Sequence, residues 1–271
     1  MQKQYQVKIS AGIVLYNSDF QEVCGCIDSF FINNGNYIIL IDNNSKNNIL
    51  IKLITHYKYN NKVFYLKLND NKGFGFGHNA GFQYLKENNI LGEFHIILNP
   101  DVLISSNCLD ILKNYLDNNK NISMVVPKIL NKDLTLQPLN KNHPNIFDML
   151  IRRFLPEIIT NLSMLKKRYN KYIRMDIGYD KICEVPFASG CFYFIRSDVF
   201  ERINGFDDKF FLYMEDADLC RRIWKIGKII YNPNAKIIHI WKRESHKNFK
   251  MTILMIKSMI YYFKKHGLCL F

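Results

Sequence analysis

The chain has 271 residues, 48% of them hydrophobic and 23% charged, with a net charge of +13 at neutral pH. This composition excludes disorder as the main state, and the length is ample for one large domain or two small ones. No run of about 18 apolar residues occurs, which argues against a spanning helix. The excess of Lys and Arg predicts an anionic partner: a nucleic acid, an anionic membrane or a phosphorylated small molecule.

Val7–Tyr16 reads as a strand without alternation, as expected for one buried on both faces of a parallel sheet. A helix is predicted over Asp19–Asn33, a second buried strand over Tyr37–Asp42, and a helix capped by Ser45 that runs to about Tyr57. Lys62–Leu68 is a third strand. The glycine-rich stretch NKGFGFGHNAG is read as a loop leading into a helix from about Asn79 to Glu87. Phe94–Leu98 is a fourth strand closed by Asn99-Pro100-Asp101, followed by a helix over Asn107–Leu116 and a strand over Ile122–Pro127. The segment from about Leu136 to Lys181 is less regular, with a basic amphipathic helix expected near Asn145–Asn170. Regular structure resumes at Glu184–Arg196, then a helix over Ser197–Ile203 and a turn at Asn204-Gly205. An acidic cluster and helix fall within Phe210–Lys225. Two short strands follow, Ile229–Tyr231 and Lys236–Ile240, and then a basic helix over His246–His266. Strands alternating with helices define an α/β domain with a mainly parallel central sheet. The N-terminus MQKQYQVKIS lacks an apolar leader, and seven scattered cysteines fit reduced thiols in a cytosol.

In such sheets ligands sit beyond the carboxyl ends of the strands. Asp42, the glycine stretch and Asp101 all fall there. Asp101 suits a divalent cation bridging to a diphosphate, although Asn-Pro-Asp is also a common turn. The alternating glycines Gly73, Gly75 and Gly77 allow a ligand close to backbone N–H groups, or simply a flexible turn. Asp42 fits a ribose or base contact and equally a cap for the turn Asn43-Asn44-Ser45. In Tyr213–Arg222 three acids precede two arginines. Asp218 is explained by an i,i+4 pair with Arg222, whereas Glu215 and Asp216 exceed what a helix start needs and suit proton abstraction from a hydroxyl. His239 on an apolar strand reads as a core histidine. His78 either touches ligand or caps its turn.

The order of these pieces (the acid after strand two, KGFGFGHNAG, LNPD, PFASGCFYFIR, GFDDKFFLYMEDADLCRR and a histidine about twenty residues on) resembles the family 2 glycosyltransferases of the GT-A fold, closest to the bacterial rhamnosyltransferases of surface-polysaccharide synthesis. The resemblance covers about Val7–Trp241. It implies a GT-A domain over residues 1–241, with a nucleotide-sugar half (1–127) and an acceptor half (128–241), followed by a basic helix in 242–271. It assigns Asp42, Gly73, Gly75, Asn79, Asn99 and Asp101 to the donor, Asp101 and His239 to a divalent cation (Mg²⁺ or Mn²⁺), and Ala188, Ser189 and Gly190 to the acceptor side. Asp216 would be the catalytic base, with Glu215 beside it. Asn99 stands where the family's first metal-motif acid is expected.

The activity implied is inverting transfer of L-rhamnose from dTDP-rhamnose to a lipid-diphosphate-linked oligosaccharide. A UDP-hexose or UDP-N-acetylhexosamine donor is the alternative, and a non-enzymatic nucleic-acid- or membrane-binding module is the third reading. No nucleic acid is expected, because carboxylates at three strand ends repel phosphates. The basic helix, with Lys242, Arg243, Lys247, Lys250, Lys257, Lys264 and Lys265 around apolar residues, fits either a solvated face or an anionic membrane surface at the inner face of the bacterial cytoplasmic membrane.

Overall fold

The computed structural model describes residues 8–146, 149, 163–240 and 249–267. Nine strands form one sheet: β1 (Ile9–Leu15), β2 (Tyr37–Asp42), β3 (Val63–Lys67), β4 (Phe94–Leu98), β5 (Val102–Ile104), β6 (Ile122–Leu130), β7 (Cys183–Glu184), β8 (Phe192–Arg196) and β9 (Lys228–His239). The order is β3-β2-β1-β4-β8-β6-β9-β5, with β7 also paired to β9. The expected parallel arrangement covers β3-β2-β1-β4. Beyond β4 the pairings are antiparallel except for β6 with β9.

The helices are α1 (Phe20–Ile32), α2 (Ile49–His56), α3 (Phe74–Glu87), α4 (Cys108–Asn118), α5 (Ser163–Tyr172), α6 (Ser197–Arg202), α7 (Glu215–Ile223) and α8 (Phe249–His266). Every residue of β1 and β4 is buried, so these strands are covered on both faces, and their polar residues Ser10 and His95 pair with each other at 3.0 Å. One face packs against α1, α2 and α4. Val23, Cys26, Ile27 and Phe30 of α1 recur at the helical period and meet Ile13, Leu40 and Leu98 in one core. The other face carries α3, α6, α7 and α8 through Phe82, Phe200, Leu219 and Tyr262.

Three local expectations are corrected. Ser45 caps no helix: α2 begins at Ile49 behind Asn48, and the Ser45 hydroxyl accepts the Asn17 N–H at 3.0 Å. The glycines are not a loop before α3 but its first turns, from Phe74. The two short strands after α7 are one strand, β9, whose register against β6 shifts between Pro127 and Lys128, so a bulge absorbs Pro233, Asn234 and Ala235. The helix expected near Asn145–Asn170 is described only over Ser163–Tyr172, and its residues Arg152 and Arg153 lie outside the described residues, as do Lys242, Arg243 and Lys247.

Gly73 has a structural role. It precedes α3 at φ +103°, and a Cβ there would collide with the Phe211 carbonyl. Gly75 likewise leaves room for Phe206. Gly73→Ala should cost about 1–3 kcal/mol, read as a lower midpoint in urea unfolding. A midpoint equal to wild type would contradict this packing.

Candidate active site

The chain folds so that two distant motifs lock together. The Phe74 N–H donates to the Phe211 carbonyl at 3.1 Å. The Asn79 amide clasps both backbone groups of Phe206, accepting from its N–H at 2.8 Å and donating to its carbonyl at 2.9 Å. These contacts hold the segment that enters α7. Tyr213 and Met214 lie just before that helix at φ +70° and +67°. Two successive left-handed non-glycine residues mark a strained turn. It delivers Glu215 and Asp216 to the first turn of α7, where the helix dipole favours negative charge.

Opposite them stands the end of β4. Val102 pairs with His239 across β5 and β9, which sets Asp101 beside His239, with Asp101 Oδ1 3.5 Å from His239 Nε2. Asn99 is pinned by its N–H to the Cys191 carbonyl at 2.9 Å. Asn99, Asp101 and His239 face the same cavity as Glu215 and Asp216, a space of about 430 Å³. Its wall includes Asn99, Asp101, Ser189, Gly190, Glu215, Asp216 and His239, with Lys141 among them. Asp101 and Asp216, 115 positions apart in sequence, thus share a cleft.

The two acids of α7 differ in surroundings. Burial raises the Glu215 carboxyl, and the nearby Asp216 charge raises it further. Its Oε2 is buried without a hydrogen-bond partner. Burial also raises Asp216, but Lys141 and backbone N–H groups of Ala217 and Gly190 oppose the rise. The Ala217 N–H donates to Asp216 Oδ1 at 2.8 Å. Of the two, Asp216 is therefore the better placed to carry the negative charge, and burial beside Asp216 favours the neutral form of Glu215. This division is the one acid–base chemistry needs. Gly190 packs closely beside Asp216: a Cβ there would lie 3.3 Å from the Asp216 Cβ, a tight contact.

Asp101 Oδ1 is buried and lacks a hydrogen-bond partner. An orphaned carboxylate oxygen beside an imidazole nitrogen, with the Asn99 amide on the same wall, fits a divalent cation of the Mg²⁺ or Mn²⁺ type. Among the described residues no group of three His, Cys, Asp or Glu side chains forms a complete metal site, so the remaining ligands would have to come from substrate and water.

Other expected residues lie apart from this wall. Asp42 ends β2, is buried, and accepts the Ser45 N–H at 2.9 Å. Gly73, Gly75 and Asn79 serve the clasp just described. Ala188 is buried, its carbonyl accepting the Tyr193 hydroxyl at 2.7 Å. His78 neither touches the cavity nor caps a turn: it is fully buried against Phe74, its ring 4.5 Å away, and burial holds its imidazole well below the ordinary range. Sequence reasoning missed Lys141, the one signal for which was a cation inside an irregular segment. It also missed that α8 closes the cavity with Met251, Thr252 and Met255, next to Leu139, Met149 and Leu212.

A half-parallel sheet between helices sets the strand-end Asp101 opposite a helix-borne acid pair, and the fold is that of the GT-A glycosyltransferases. The chain belongs to glycosyl transferase family 2, whose family description matches residues 10–203. A second description, the N-terminal domain of galactosyltransferase, matches residues 174–247. The rhamnosyltransferase WbbL of Escherichia coli K12 is 27% identical over 182 residues, 65% of this chain and 64% of that protein. The N-acetylglucosaminyl-diphospho-decaprenol L-rhamnosyltransferase of Mycobacterium tuberculosis is 26% identical over 149 residues, 53% of this chain and 46% of the relative. These matches thus span about half to two thirds of the relatives' own length. Among solved structures, GalNAc-T7 with UDP, GalNAc and Mn²⁺ superposes with a TM-score of 0.69 at 18% identity, over 97% of this chain and 48% of that one. The mannosyltransferase PcManGT of Pyrobaculum calidifontis with GDP-Man and Mn²⁺ gives 0.65 at 12% identity, over 97% and 65%.

Proposed function

We propose that the chain transfers a sugar from a nucleoside-diphosphate donor to a hydroxyl acceptor with inversion at the anomeric carbon. The observation that carries this reading is the single cavity faced by both Asp101 and Asp216. In this account Asp216 takes the proton of the acceptor hydroxyl as that oxygen attacks. Glu215, neutral, donates a hydrogen bond to the acceptor or to Asp216. Ser189 and Gly190 form the floor beneath the sugar, with Ala188 behind them. Asp42 contacts the nucleotide, while Gly73, Gly75 and Asn79 shape the donor wall through the loop they hold. Asp101 and His239, with Asn99 alongside, would hold a divalent cation, which supplies charge stabilisation for the departing diphosphate. Lys141 adds a fixed positive charge on the same wall.

L-rhamnose from dTDP-rhamnose is the proposed donor, and a lipid-diphosphate-linked oligosaccharide of surface polysaccharide, such as O-antigen, the proposed acceptor. Two rhamnosyltransferases among the relatives, one of them named for a diphospho-decaprenol substrate, support this choice. The apolar side of the cavity, from Leu139, Met149, Leu212, Met251 and Met255, suits a lipid-bearing acceptor. Purified protein should release nucleoside diphosphate from dTDP-rhamnose when such an acceptor is added. Release from UDP-hexoses or UDP-N-acetylhexosamines instead would replace the donor, and release from none would refute the activity.

A peripheral membrane position is part of the proposal. No helix among the described residues is long and apolar enough to cross a membrane. On α8, Ile253, Ile256 and Ile260 are exposed along one face, flanked by exposed Lys257 and Lys264. Such a face suits the headgroup layer on the inner side of a bacterial cytoplasmic membrane, each lysine adding about 1 kcal/mol near anionic lipid. In flotation, phosphatidylglycerol vesicles should carry the protein and phosphatidylcholine vesicles should not. Ile256→Asp with Ile260→Asp should abolish flotation; unchanged flotation would contradict the assignment of this face.

A further inference from the structure

Residues 131–137 form a tight turn at the end of β6. The Asn131 N–H donates to the Thr135 carbonyl at 2.8 Å, and the Gln137 N–H donates to the Ile129 carbonyl at 2.9 Å. Side chains of this turn make a chain of hydrogen bonds that ends at His239. Its direction can be worked out from its outer end. The Asp133 carboxylate only accepts, so the Thr135 hydroxyl donates its one proton to Asp133 Oδ1, at 2.6 Å. Thr135 Oγ1 then accepts from Asn131 Nδ2 at 2.9 Å. That orients the Asn131 amide, whose Oδ1 accepts from Gln137 Nε2 at 2.7 Å. Gln137 therefore turns its Oε1 to His239 Nδ1, 2.8 Å away. An amide oxygen cannot donate, so Nδ1 carries the ring proton. In a neutral imidazole Nε2 then holds a lone pair.

That lone pair faces Asp101 Oδ1 at 3.5 Å, the oxygen that has no donor. Two acceptors facing each other, in a buried wall, call for a cation between them. Gln137 and His239 are themselves buried. This inner pair of the chain is costlier to bury than an apolar filling of the same shape, unless it sets something the site uses. We infer that Gln137, oriented by Asn131 and Thr135, is a positioning residue: it holds His239 as the Nδ1–H tautomer and so presents Nε2, with Asp101, to a divalent cation. This rests on the reading of Asp101 and His239 as a cation site. Outer hydrogen bonds of this kind fix ring orientation in metal-ligating histidines and raise their basicity.

The test is the tautomer itself, read by two-bond ¹⁵N–¹H correlation on imidazole-labelled, metal-free protein at about pH 8, where unperturbed imidazoles are neutral. His239→Gln identifies the signal by its loss. Wild type should show Nδ1 protonated, Gln137→Glu should keep that form, and Gln137→Leu should lose it. In a Mn²⁺ titration followed by electron paramagnetic resonance, Gln137→Leu should bind about 10–100-fold more weakly, and Gln137→Glu within about threefold of wild type. A wild-type His239 protonated at Nε2, or at both nitrogens, overturns the inference whether or not the variants fold. So does a folded Gln137→Leu with an unchanged tautomer. Wild type with the expected tautomer but no Mn²⁺ binding leaves the relay standing and removes the cation reading instead.

Discussion

Asp216→Asn is expected to lower the transfer rate by about 10²–10⁴-fold, the usual contribution of a positioned general base, while donor binding stays intact. Glu215→Gln is expected to keep the rate within about tenfold of wild type, because an amide reproduces a carboxyl that is already neutral. The contrast follows from the surroundings of the two acids. Glu215 has a buried, unpartnered oxygen, whereas Asp216 has Lys141 and two backbone N–H groups on its side. The same surroundings set the pH profile. Asp216 is active when ionised, so the rate falls as pH falls through its pKa. Burial raises that pKa, so the acidic limb lies above the ordinary carboxylate range. Lys141→Met removes an opposing charge and should move the limb further up. Equal losses in Asp216→Asn and Glu215→Gln, or a limb unmoved by Lys141→Met, would contradict the assignment.

Asp218→Ala is expected to cost about 3–5 kcal/mol, because it removes a buried carboxylate from two cations, Arg222 and Lys265, and from the His266 ring at once. Arg222 Nε lies 2.7 Å from Asp218 Oδ2, and Lys265 Nζ and His266 Nε2 lie 2.6 and 2.7 Å from Oδ1. Lys265 and Tyr261 also reach Asp207 Oδ2, at 2.6 and 2.8 Å. The i,i+4 pair visible in the sequence is thus the inner half of a clamp that fastens α8 to α7. Since α8 walls the cavity, the variant should lose activity together with stability. Burial works to raise the Asp218 carboxyl, but Arg222, Lys265 and His266 outweigh it and hold it below the ordinary value. A depressed carboxylate stabilises the fold above its unfolded pKa. That contribution disappears as pH falls through the folded value, on the acid side of about 3.9. Urea unfolding of wild type and Asp218→Ala at neutral and acid pH checks both points. A difference that persists unchanged into strong acid would contradict the clamp.

How much of this was legible in the sequence depended on where the determining contacts lie. Strands buried on both faces declare themselves as apolar runs, and Tyr37–Asp42 and Phe94–Leu98 fall where expected. The start of α3 did not declare itself. Glycine is a poor helix former, and Gly75 and Gly77 occupy helical positions whose Cβ space is filled by Phe206 and Val14. That reason sits far along the chain. Asn232-Pro233-Asn234 looked like a break for the same kind of reason, since a bulge is a property of the paired strand. Asp101, Glu215 and Asp216 were identifiable as strand-end and helix-start residues, whereas His239 read as a core histidine and entered only through the family resemblance; the fold brings all four to one cavity. The relay from Asp133 to Gln137 and the closure by α8 were not identifiable, because each joins residues whose types alone suggest a turn and a basic surface helix.

In the proposed function one cleft holds a diphosphate near Asp101 and an acceptor hydroxyl near Asp216. Anomalous diffraction from a crystal grown with Mn²⁺ and a nucleoside diphosphate tests it most directly. One manganese peak bonded to Asp101 and His239 is expected, with the diphosphate on it and its open end toward Asp216. A nucleotide bound elsewhere, or one whose diphosphate points away from Asp216, would contradict it.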